Sequence, residues 1–279
     1  MRGWRVGYFA GSVAVITGAG SGIGRALAAS LAARGADLAL SDRNAAAVLE
    51  TARRCRRAGV RVRVDVLDVA HPRAVQAQAD AVAAEFGRVH LVFGNAGTMI
   101  GGRLVEMDPD GVDRIVAVNL LGVVHTARAY LPHLVASGGG HLVTVSSAFG
   151  LIGVPGYSLY CATKFAVRGF SDALRQELAE DRLPVKVTCA YPGGVRTGIV
   201  RNGRYPSGEQ ASAAAELFDR RFARIEPEQA AAIILRAVRR GRGSVLVGAD
   251  AQAVSLFTRA AGRAYPAVLN LARRAAGSS

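Results

Sequence analysis

The chain has 279 residues, of which 51% are hydrophobic, and carries a formal net charge of +14 at pH 7. That length and apolar content suit one large α/β domain with short extensions, and no apolar run is long and uninterrupted enough to predict a transmembrane helix. The three cysteines are widely spaced and the five histidines show no ligand spacing, which argues against disulfides and metal sites and favours a cytoplasmic protein.

Short aliphatic or β-branched runs alternate along the chain with alanine-rich amphipathic segments, a pattern typical of β-α units. The predicted strands are 13–17, 37–41, 60–64, 91–94, 141–146, 185–191 and 244–247, and the predicted helices are 24–34, 45–58, 72–86, 110–136, 160–181 and 227–240. Several strands are apolar throughout, as burial on both faces requires. We therefore predict an α/β fold with a doubly wound, mostly parallel seven-stranded sheet of the Rossmann type and helices on both faces. The ligand crevice is expected at the carboxyl ends of the strands.

A glycine-rich turn follows the first strand. Its residues are Thr17, Gly18, Ala19, Gly20, Ser21, Gly22, Ile23 and Gly24, and a helix-forming run comes next. Glycines let the backbone turn tightly and approach a pyrophosphate, whose charge is met by the amide groups at the start of the helix. The position of this turn between a strand and a helix predicts dinucleotide binding through all of these residues except Ala19.

An acidic residue, Asp42, closes the second strand. At that position a carboxylate can accept hydrogen bonds from the adenosine ribose, and it repels a 2′-phosphate. The alternative is that Asp42 caps the helix that begins near Ala45. The neighbouring Arg43 could instead pair with the 2′-phosphate of NADP, so Asp42 and Arg43 favour different cofactors. We expect NAD to be the preferred cofactor.

The excess of positive charge has two interpretations. It could attract an acidic partner such as nucleic acid or an anionic membrane. It could also be arginine that covers solvent faces, as with Arg53, Arg54, Arg56 and Arg57 on one predicted helix that ends at Gly59. No stacking motif or reading helix accompanies the charge, so we expect no nucleic-acid partner.

Tyr160 and Lys164 lie one helical turn apart on the same face of a predicted helix. An ammonium close to the phenol favours the phenolate, so we expect Lys164 to lower the pKa of Tyr160 toward working pH. The chain contains only two lysines against a large excess of arginine, and lysine supplies a compact donor whose pKa responds to its surroundings. The Y-x-x-x-K spacing also occurs in ordinary exposed helices. In this chain it predicts a site of proton transfer.

Further segments extend this pattern, and with the glycine turn and the Tyr160–Lys164 pair they resemble the short-chain dehydrogenase/reductase family. The resemblance runs from about Val13 to Thr197 and more loosely to about Val247. The family's Asn-Asn-Ala-Gly element is present as Gly94, Asn95, Ala96 and Gly97, with glycine in place of the first asparagine, and Asp68 with Val69 is similar to the family's adenine-contacting pair. Residues 192–197 resemble the loop that holds the nicotinamide carboxamide, with Pro192, Gly193, Val195 and Thr197 as contacts.

The resemblance implies four catalytic residues, Asn119, Ser147, Tyr160 and Lys164, of which Ser147 suits the serine position better than its neighbour Ser146. Ser147 would hydrogen-bond the substrate oxygen, Tyr160 would transfer the proton, and Lys164 would bind the nicotinamide ribose and tune Tyr160. Asn119 would anchor a water in a proton relay, or bond neighbouring backbone, or both. No metal is required.

These residues predict an oxidoreductase that moves a hydride between a nicotinamide cofactor and a hydroxyl or carbonyl carbon. Apolar side chains expected at the crevice suggest a hydrophobic alcohol or ketone: Met99, Ile100, Phe149, Leu151, Val154, Tyr157 and Ile199. The alternatives are a catalytically silent nucleotide-sensing or scaffolding protein and a basic membrane-associated module. We assign residues 1–248 to one catalytic domain, in which residues 198–225 form a lid over the substrate.

The tail, residues 249–279, is predicted to be a helical extension. Val254, Phe257, Ala261, Ala264, Val268 and Leu271 recur at helical spacing, with Arg259, Arg263, Arg273 and Arg274 beside them. Pro266 is expected to divide the segment into two short helices. The tail could lie in an anionic membrane surface, but we favour packing against protein, and the family resemblance implies a homodimer or homotetramer.

Overall fold

A computed structural model describes residues 7–277, apart from the side chains of Arg221 and of residues 272–277. Within this range seven parallel strands form one sheet in the order β3-β2-β1-β4-β5-β6-β7. The strands are β1 Val13–Thr17, β2 Asp37–Asp42, β3 Val62–Val66, β4 Leu91–Gly94, β5 Gly140–Val145, β6 Val185–Pro192 and β7 Ser244–Val247. The predicted doubly wound fold is confirmed. Its strand order reverses between β1 and β4, which opens a crevice at the carboxyl ends of these two strands.

Helices cover both faces of the sheet. They are α1 Gly22–Ala32, α2 Ala45–Arg56, α3 Pro72–Phe86, α4 Pro109–Val116, α5 Gly122–Ala136, α6 Ser158–Glu180, α7 Gly208–Arg221, α8 Pro227–Arg239, α9 Ala249–Ala261 and α10 Tyr265–Gly277. Successive side chains of a strand point to opposite faces. Ala14 and Ile16 of β1 therefore pack with α1, α2 and α8, whereas Val13 and Val15 pack with α3, α5 and α6.

The predicted bounds of the third strand are wrong by two residues. Alternating valines run from Val60 to Val66, so the apolar pattern does not mark where the strand begins. Pairing begins only where Val62 lies opposite Leu38 of β2. Just before it, the Asp37 carboxylate accepts a 2.9 Å hydrogen bond from the backbone N–H of Arg61.

The predicted helix 110–136 contains an irregular turn. A π-helical segment, Ala117–Leu121, joins α4 to α5 and carries Asn119. The run 109–136 has the length and composition of a membrane-spanning helix, but half of its most apolar window is buried inside the protein, as in the core helix of a globular domain. Such single-turn π-helical segments occur frequently at functional sites.

The lid contains a helix that was not predicted, and the tail divides at a different residue from the predicted one. Residues 198–225, to which no helix was assigned, contain α7, whose first turn is capped where Ser207 accepts a hydrogen bond from the N–H of Gln210. The tail divides at Gly262, with φ of +51°, and Pro266 lies instead in the first turn of α10, which tolerates its missing N–H. Residues 1–6 of the expected domain and the side chains of Arg273 and Arg274 lie outside the described residues.

Candidate active site

Tyr160 lies in the first turn of α6, at the carboxyl edge of the sheet. Its side chain is 5% exposed, and its ring meets that of Phe149 edge to face at a centroid distance of 6.1 Å. Burial raises the pKa of Tyr160 to about 12, and a hydrogen bond with Ser147 acts in the opposite direction. The phenol is therefore protonated at neutral pH.

Lys164 follows one turn later on the same face of α6, as predicted. Its Nζ lies 5.6 Å from the centroid of the Tyr160 ring and donates a 3.0 Å hydrogen bond to the carbonyl of Val145. The side chain is 3% exposed, and burial lowers the pKa of its ammonium to about 8. The expected fall in the pKa of Tyr160 toward working pH is wrong for this structure: the pKa is raised, because loss of solvent disfavours the charged form of both groups.

The two consecutive serines after β5 have different environments. The Ser146 hydroxyl is buried and donates a 2.7 Å hydrogen bond to the carbonyl of Lys164, which fixes the end of β5 against α6. The Ser147 hydroxyl accepts from the N–H of Phe149 at 3.1 Å and shares a hydrogen bond with Tyr160. Ser147 is thus the serine placed to meet an oxygen atom bound at the tyrosine.

Asn119 is fully buried on the π-helical turn and clamps the loop that follows β4. Its amide oxygen accepts from the N–H of Thr98 at 2.7 Å, and its amide nitrogen donates to the carbonyl of Thr98 at 2.9 Å. A Cβ placed on Gly97 would lie 3.4 Å from the Asn119 oxygen and 3.5 Å from Lys164 Nζ, so the three residues are close neighbours. Of the two roles expected for Asn119, the structure shows the hydrogen bonds to backbone. The backbone that it binds belongs to Thr98, in a distant loop and not in the neighbouring helix.

The glycine turn forms a cradle that only glycine allows. A Cβ on Gly18 would lie 2.8 Å from the Cα of Ala96, and one on Gly24 would overlap the carbonyl of Gly18. Gly18 and Gly22 have φ of +65° and +49°. The first turn of α1 contains no acidic residue, and the side chain of its N-cap residue Ser21 makes no capping hydrogen bond. The amide groups at this helix start are therefore available to a pyrophosphate, and this cradle fits a dinucleotide.

Thr17 joins this cradle to the segment after β4. Its hydroxyl accepts hydrogen bonds from the N–H groups of Asn95 and Ala96, both at 3.1 Å. The Asn95 amide donates to the Thr17 carbonyl at 2.9 Å. The structure thus brings together two predicted cofactor segments on either side of the switch point, and the nearby Ile23 packs against the hydrophobic core.

Asp42 is partly buried at the end of β2, and it is not the cap of α2. Its carboxylate accepts hydrogen bonds from the N–H groups of Gly20 and Asn44, both at 2.9 Å, while Asn44 itself caps the helix. Arg43 is exposed beside it. Sequence reasoning missed Arg25. Its guanidinium donates hydrogen bonds to the Gly20 carbonyl and the Thr51 hydroxyl, and so ties the glycine turn to α2.

The predicted adenine-contacting pair lies in the loop that joins β3 to α3. The Asp68 carboxylate pairs with the guanidinium of Arg114 at 2.7 Å, and the carbonyl of Val69 lies 3.0 Å from Nδ1 of His125. Burial opposes ionisation of Asp68, but hydrogen bonds from Ala70 and Arg114 outweigh it and lower the pKa of the carboxyl. The pair is thereby held by two helices that the sequence pattern did not connect with it.

Residues 192–197, here called the nicotinamide loop after the contact expected of it, leave β6 and turn back toward the glycine cradle. A Cβ on Gly22 would lie 2.9 Å from a methyl carbon of Thr197, so the two loops touch. Val195 is 3% exposed and pairs with Ile225 at the end of the lid. Pro192 and Gly193 continue the pairing with β7.

An apolar cluster surrounds Tyr160 beneath the lid. Of the seven side chains predicted at the crevice, it contains five, Met99, Ile100, Phe149, Tyr157 and Ile199, whereas Leu151 and Val154 lie outside it. Sequence reasoning missed Met107, Ile115, Val116, Leu159, Val200, Tyr205, Ala214 and Phe218, which complete it. For Ala214 and Phe218, the helical spacing of apolar positions in α7 was the signal that could have found them. Among the described residues no group of three or more metal-ligating side chains occurs.

Comparison with known proteins gives the class of this site. A family model described as short chain dehydrogenase matches residues 12–206. SadH of Mycobacterium tuberculosis, which carries the provisional name of an oxidoreductase, is 50% identical over 257 residues, 92% of this chain and 93% of that protein. The chain belongs to the short-chain dehydrogenase/reductase family.

Two solved structures relate the fold to nicotinamide cofactors. A short-chain dehydrogenase/reductase from Burkholderia phymatum in complex with NAD has a TM-score of 0.85 and 32% identity, and the match covers 91% of this chain and 94% of that one. A metagenomic short-chain oxidoreductase in complex with NADP has a TM-score of 0.69 and 30% identity, with coverage of 85% and 97%. The chain is an oxidoreductase of a family whose members bind NAD or NADP.

Proposed function

We propose that this protein transfers a hydride between NAD and the hydroxyl or carbonyl carbon of a hydrophobic small molecule, with Tyr160 as the proton-transfer residue. The observation that carries the proposal is the placement of Tyr160, Ser147 and Lys164 around one buried point, next to a glycine cradle that fits a dinucleotide. The bound nicotinamide supplies or accepts the hydride. The protein's residues handle the proton and the substrate oxygen.

Each residue has a task that follows from its geometry. In reduction, the protonated Tyr160 donates its proton to the carbonyl oxygen while Ser147 hydrogen-bonds the same oxygen. The ammonium of Lys164 stabilises the phenolate that remains and is placed to hold a ribose hydroxyl. In oxidation the phenolate accepts the proton. Because the pKa of Tyr160 is about 12, the phenolate fraction rises with pH, and we expect oxidation to accelerate in alkaline buffer while reduction holds its rate through the neutral range.

The apolar cluster under the lid supports a hydrophobic substrate. Met99, Ile100 and Val200 are each less than a tenth exposed, and they lie with Phe149 and Tyr157 beside the reacting residue. A secondary alcohol or ketone with an aliphatic or ring body would bury its carbon skeleton against these side chains.

Asp42 supports a preference for NAD over NADP. Its carboxylate is held toward the glycine cradle by Gly20, where a 2′-phosphate would meet its charge. We expect wild-type protein to bind NADH more tightly than NADPH, and Asp42→Ala to narrow or reverse that ratio. Arg43→Ala is the matched variant, because it removes the cation that would attract the phosphate. Tighter binding of NADPH by the wild type would overturn the preference.

The test of the reaction is absorbance at 340 nm over secondary alcohols and ketones of increasing chain length, with both cofactors. Tyr160→Phe should keep the melting temperature and the Kd for NADH but lose 10²- to 10⁴-fold in kcat, the usual contribution of general acid–base catalysis. Tyr130→Phe is the control, since Tyr130 is a fully buried tyrosine far along α5. A Tyr160→Phe rate above about a tenth of the wild-type rate would refute the assignment.

We also propose that the protein works in the reducing cytoplasm as a homodimer or homotetramer. Its three cysteines are free and buried, which suits a compartment without disulfides. Leu121, on the π-helical turn before α5, and Phe165, on α6, are 42% and 38% exposed. They offer apolar surface that a second copy could cover. Light scattering at micromolar concentration checks the assembly, and a monomer would contradict it.

A further inference from the structure

The nicotinamide loop is held by a side chain from the tail. Asp250, in the first turn of α9, accepts a hydrogen bond from the backbone N–H of Gly194. The preceding N–H, that of Gly193, donates to the carbonyl of Val247 at 3.0 Å, which ends the pairing of β6 with β7. The sheet therefore holds the loop at Gly193, and the tail holds it one residue later.

The glycines of this region are required for the contact. A Cβ on Gly193 would overlap the Asp250 carboxylate, and one on Gly194 would overlap the carbonyl of Phe222. Gly248 has φ of +105°, a conformation that L side chains rarely adopt, and it turns the chain from β7 into α9 so that Asp250 returns to the loop. The Asp250 carboxylate therefore lies in a space bounded by Gly193 of the nicotinamide loop and by the turn at Gly248.

We propose that Asp250 is a positioning residue for the cofactor: by binding the Gly194 N–H it sets the place of Val195 and Thr197, and so the affinity for the nicotinamide end. This inference rests on the proposed function of the loop. Gly194 is buried, so without Asp250 its N–H must recruit water or stay unpaired, and either change shifts the residues that follow. The tail then belongs to the active site.

A structural role for Asp250 is also expected, because a carboxylate in the first turn of a helix is favourable to the helix dipole. Three substitutions separate the roles. Asp250→Asn keeps an acceptor oxygen of the same reach and loses the charge. Asp250→Glu keeps the charge but is longer by one methylene, in a space already closed by Gly193. Asp250→Ala loses both properties.

The experiment measures the Kd for NADH by fluorescence and, on the cofactor-free protein, hydrogen exchange of the peptide that covers residues 192–197. We expect Asp250→Ala and Asp250→Glu to weaken NADH binding about tenfold, which corresponds to about 1.4 kcal/mol. Both should exchange faster in the loop. Asp250→Asn should stay within about threefold of wild type in both measurements.

Asp110→Ala is the control, since Asp110 is an exposed acid in the first turn of α4 and should alter stability without altering NADH binding. Wild-type affinity and loop exchange in Asp250→Glu would overturn the proposal and leave only the helix-dipole role. If Asp250→Ala does not fold, the comparison of the asparagine and glutamate variants decides alone. A wild-type protein that binds no nicotinamide cofactor would instead refute the proposed function, and the loop exchange of the variants would still report whether Asp250 orders the loop.

Discussion

The proposed cofactor end and the proposed substrate end of the crevice are built in different ways. At the cofactor end, the glycine cradle packs backbone against backbone, and a single Cβ at Gly24 would overlap the carbonyl of Gly18. At the substrate end, the lid meets the loop after β4 mostly through side chains, and only a short bridge between Ile100 and Arg204 joins the two backbones. The first arrangement demands particular residue types, whereas the second demands only shape and apolarity. Substitutions should therefore have large, residue-specific effects at the cofactor end and smaller, graded effects at the substrate end.

The largest effect is expected at the cofactor end. Gly24→Ala should weaken NADH binding by more than about 100-fold, because the added methyl group must displace the Gly18 carbonyl and the cradle has no room to adjust. Gly169→Ala is the matched control. It lies exposed in α6 with nothing within 4 Å of an added Cβ, so it should raise stability by about 1 kcal/mol. Fluorescence titration and thermal melts measure the two effects, and near-normal NADH binding by Gly24→Ala would contradict the comparison.

Lys164 lies between the cofactor end and the substrate end. Its removal should lower activity and at the same time raise stability. Lys164→Met should lower kcat about 100-fold and weaken cofactor binding, yet raise the melting temperature at pH 7. The pKa falls from 10.5 to about 8 on folding, so burial of the ammonium costs on the order of 3 kcal/mol below pH 8. The lost hydrogen bond to Val145 offsets part of this gain.

The sign of the pH dependence gives a second check on Lys164. The folded state binds the proton more weakly than the unfolded chain, so the cost is complete below pH 8 and disappears as pH rises to 10.5. The stability advantage of Lys164→Met over wild type should therefore shrink in melts as pH rises from 7 to 10.5. A variant that is less stable than wild type at pH 7 would show that the ammonium is not penalised by burial.

At the substrate end, Gly101→Ala should act mainly on the lid. A Cβ on Gly101 would overlap the ring of Tyr205 and would lie 3.0 Å from the ring of Tyr157, whereas its own backbone conformation accepts alanine. We expect the substrate KM to rise about tenfold while the Kd for NADH is unchanged. Adding Tyr205→Leu should restore much of the loss by vacating the space. If NADH binding falls as well, the two ends are more tightly coupled than their contacts imply.

The smallest effect is expected within α7. Phe218 packs against the apolar cluster under the lid, and its neighbour Leu217 is 49% exposed. Phe218→Ala should raise the substrate KM about threefold with little change in melting temperature, because alanine favours the helix and the lost contact is only half-buried. Leu217→Ala should change neither quantity. Equal effects in both variants would mean that α7 presents another face to the substrate.

Much of the cofactor end could be predicted from the sequence because its constraints are local. The glycine turn from Thr17 to Gly24, the acid at the end of β2 and the Tyr160–Lys164 spacing each lie within one strand-turn-helix or one helical turn. A tight turn or a shared helix face leaves few solutions, so residue type and spacing carry the information.

The third strand and the lid show where local information ends. The valine alternation from Val60 to Val66 fits two registers equally, and only pairing with β2 selects one. The helix α7 has a local capping signal at Ser207, but its role depends on contact with Met99 and Ile100, about a hundred residues earlier in the chain.

The sequence alone determined the fold class, the glycine turn between β1 and α1 and the shared helix face of Tyr160 and Lys164. The tertiary structure alone decided that Asn119 hydrogen-bonds Thr98 and that Asp250 reaches back to Gly194. It also reversed the expected pKa shift of Tyr160, because desolvation depends on everything packed around a group and not on its neighbours in the helix. Turn geometry and helical spacing act over a few residues, whereas burial and long-range hydrogen bonds exist only once distant segments have packed together.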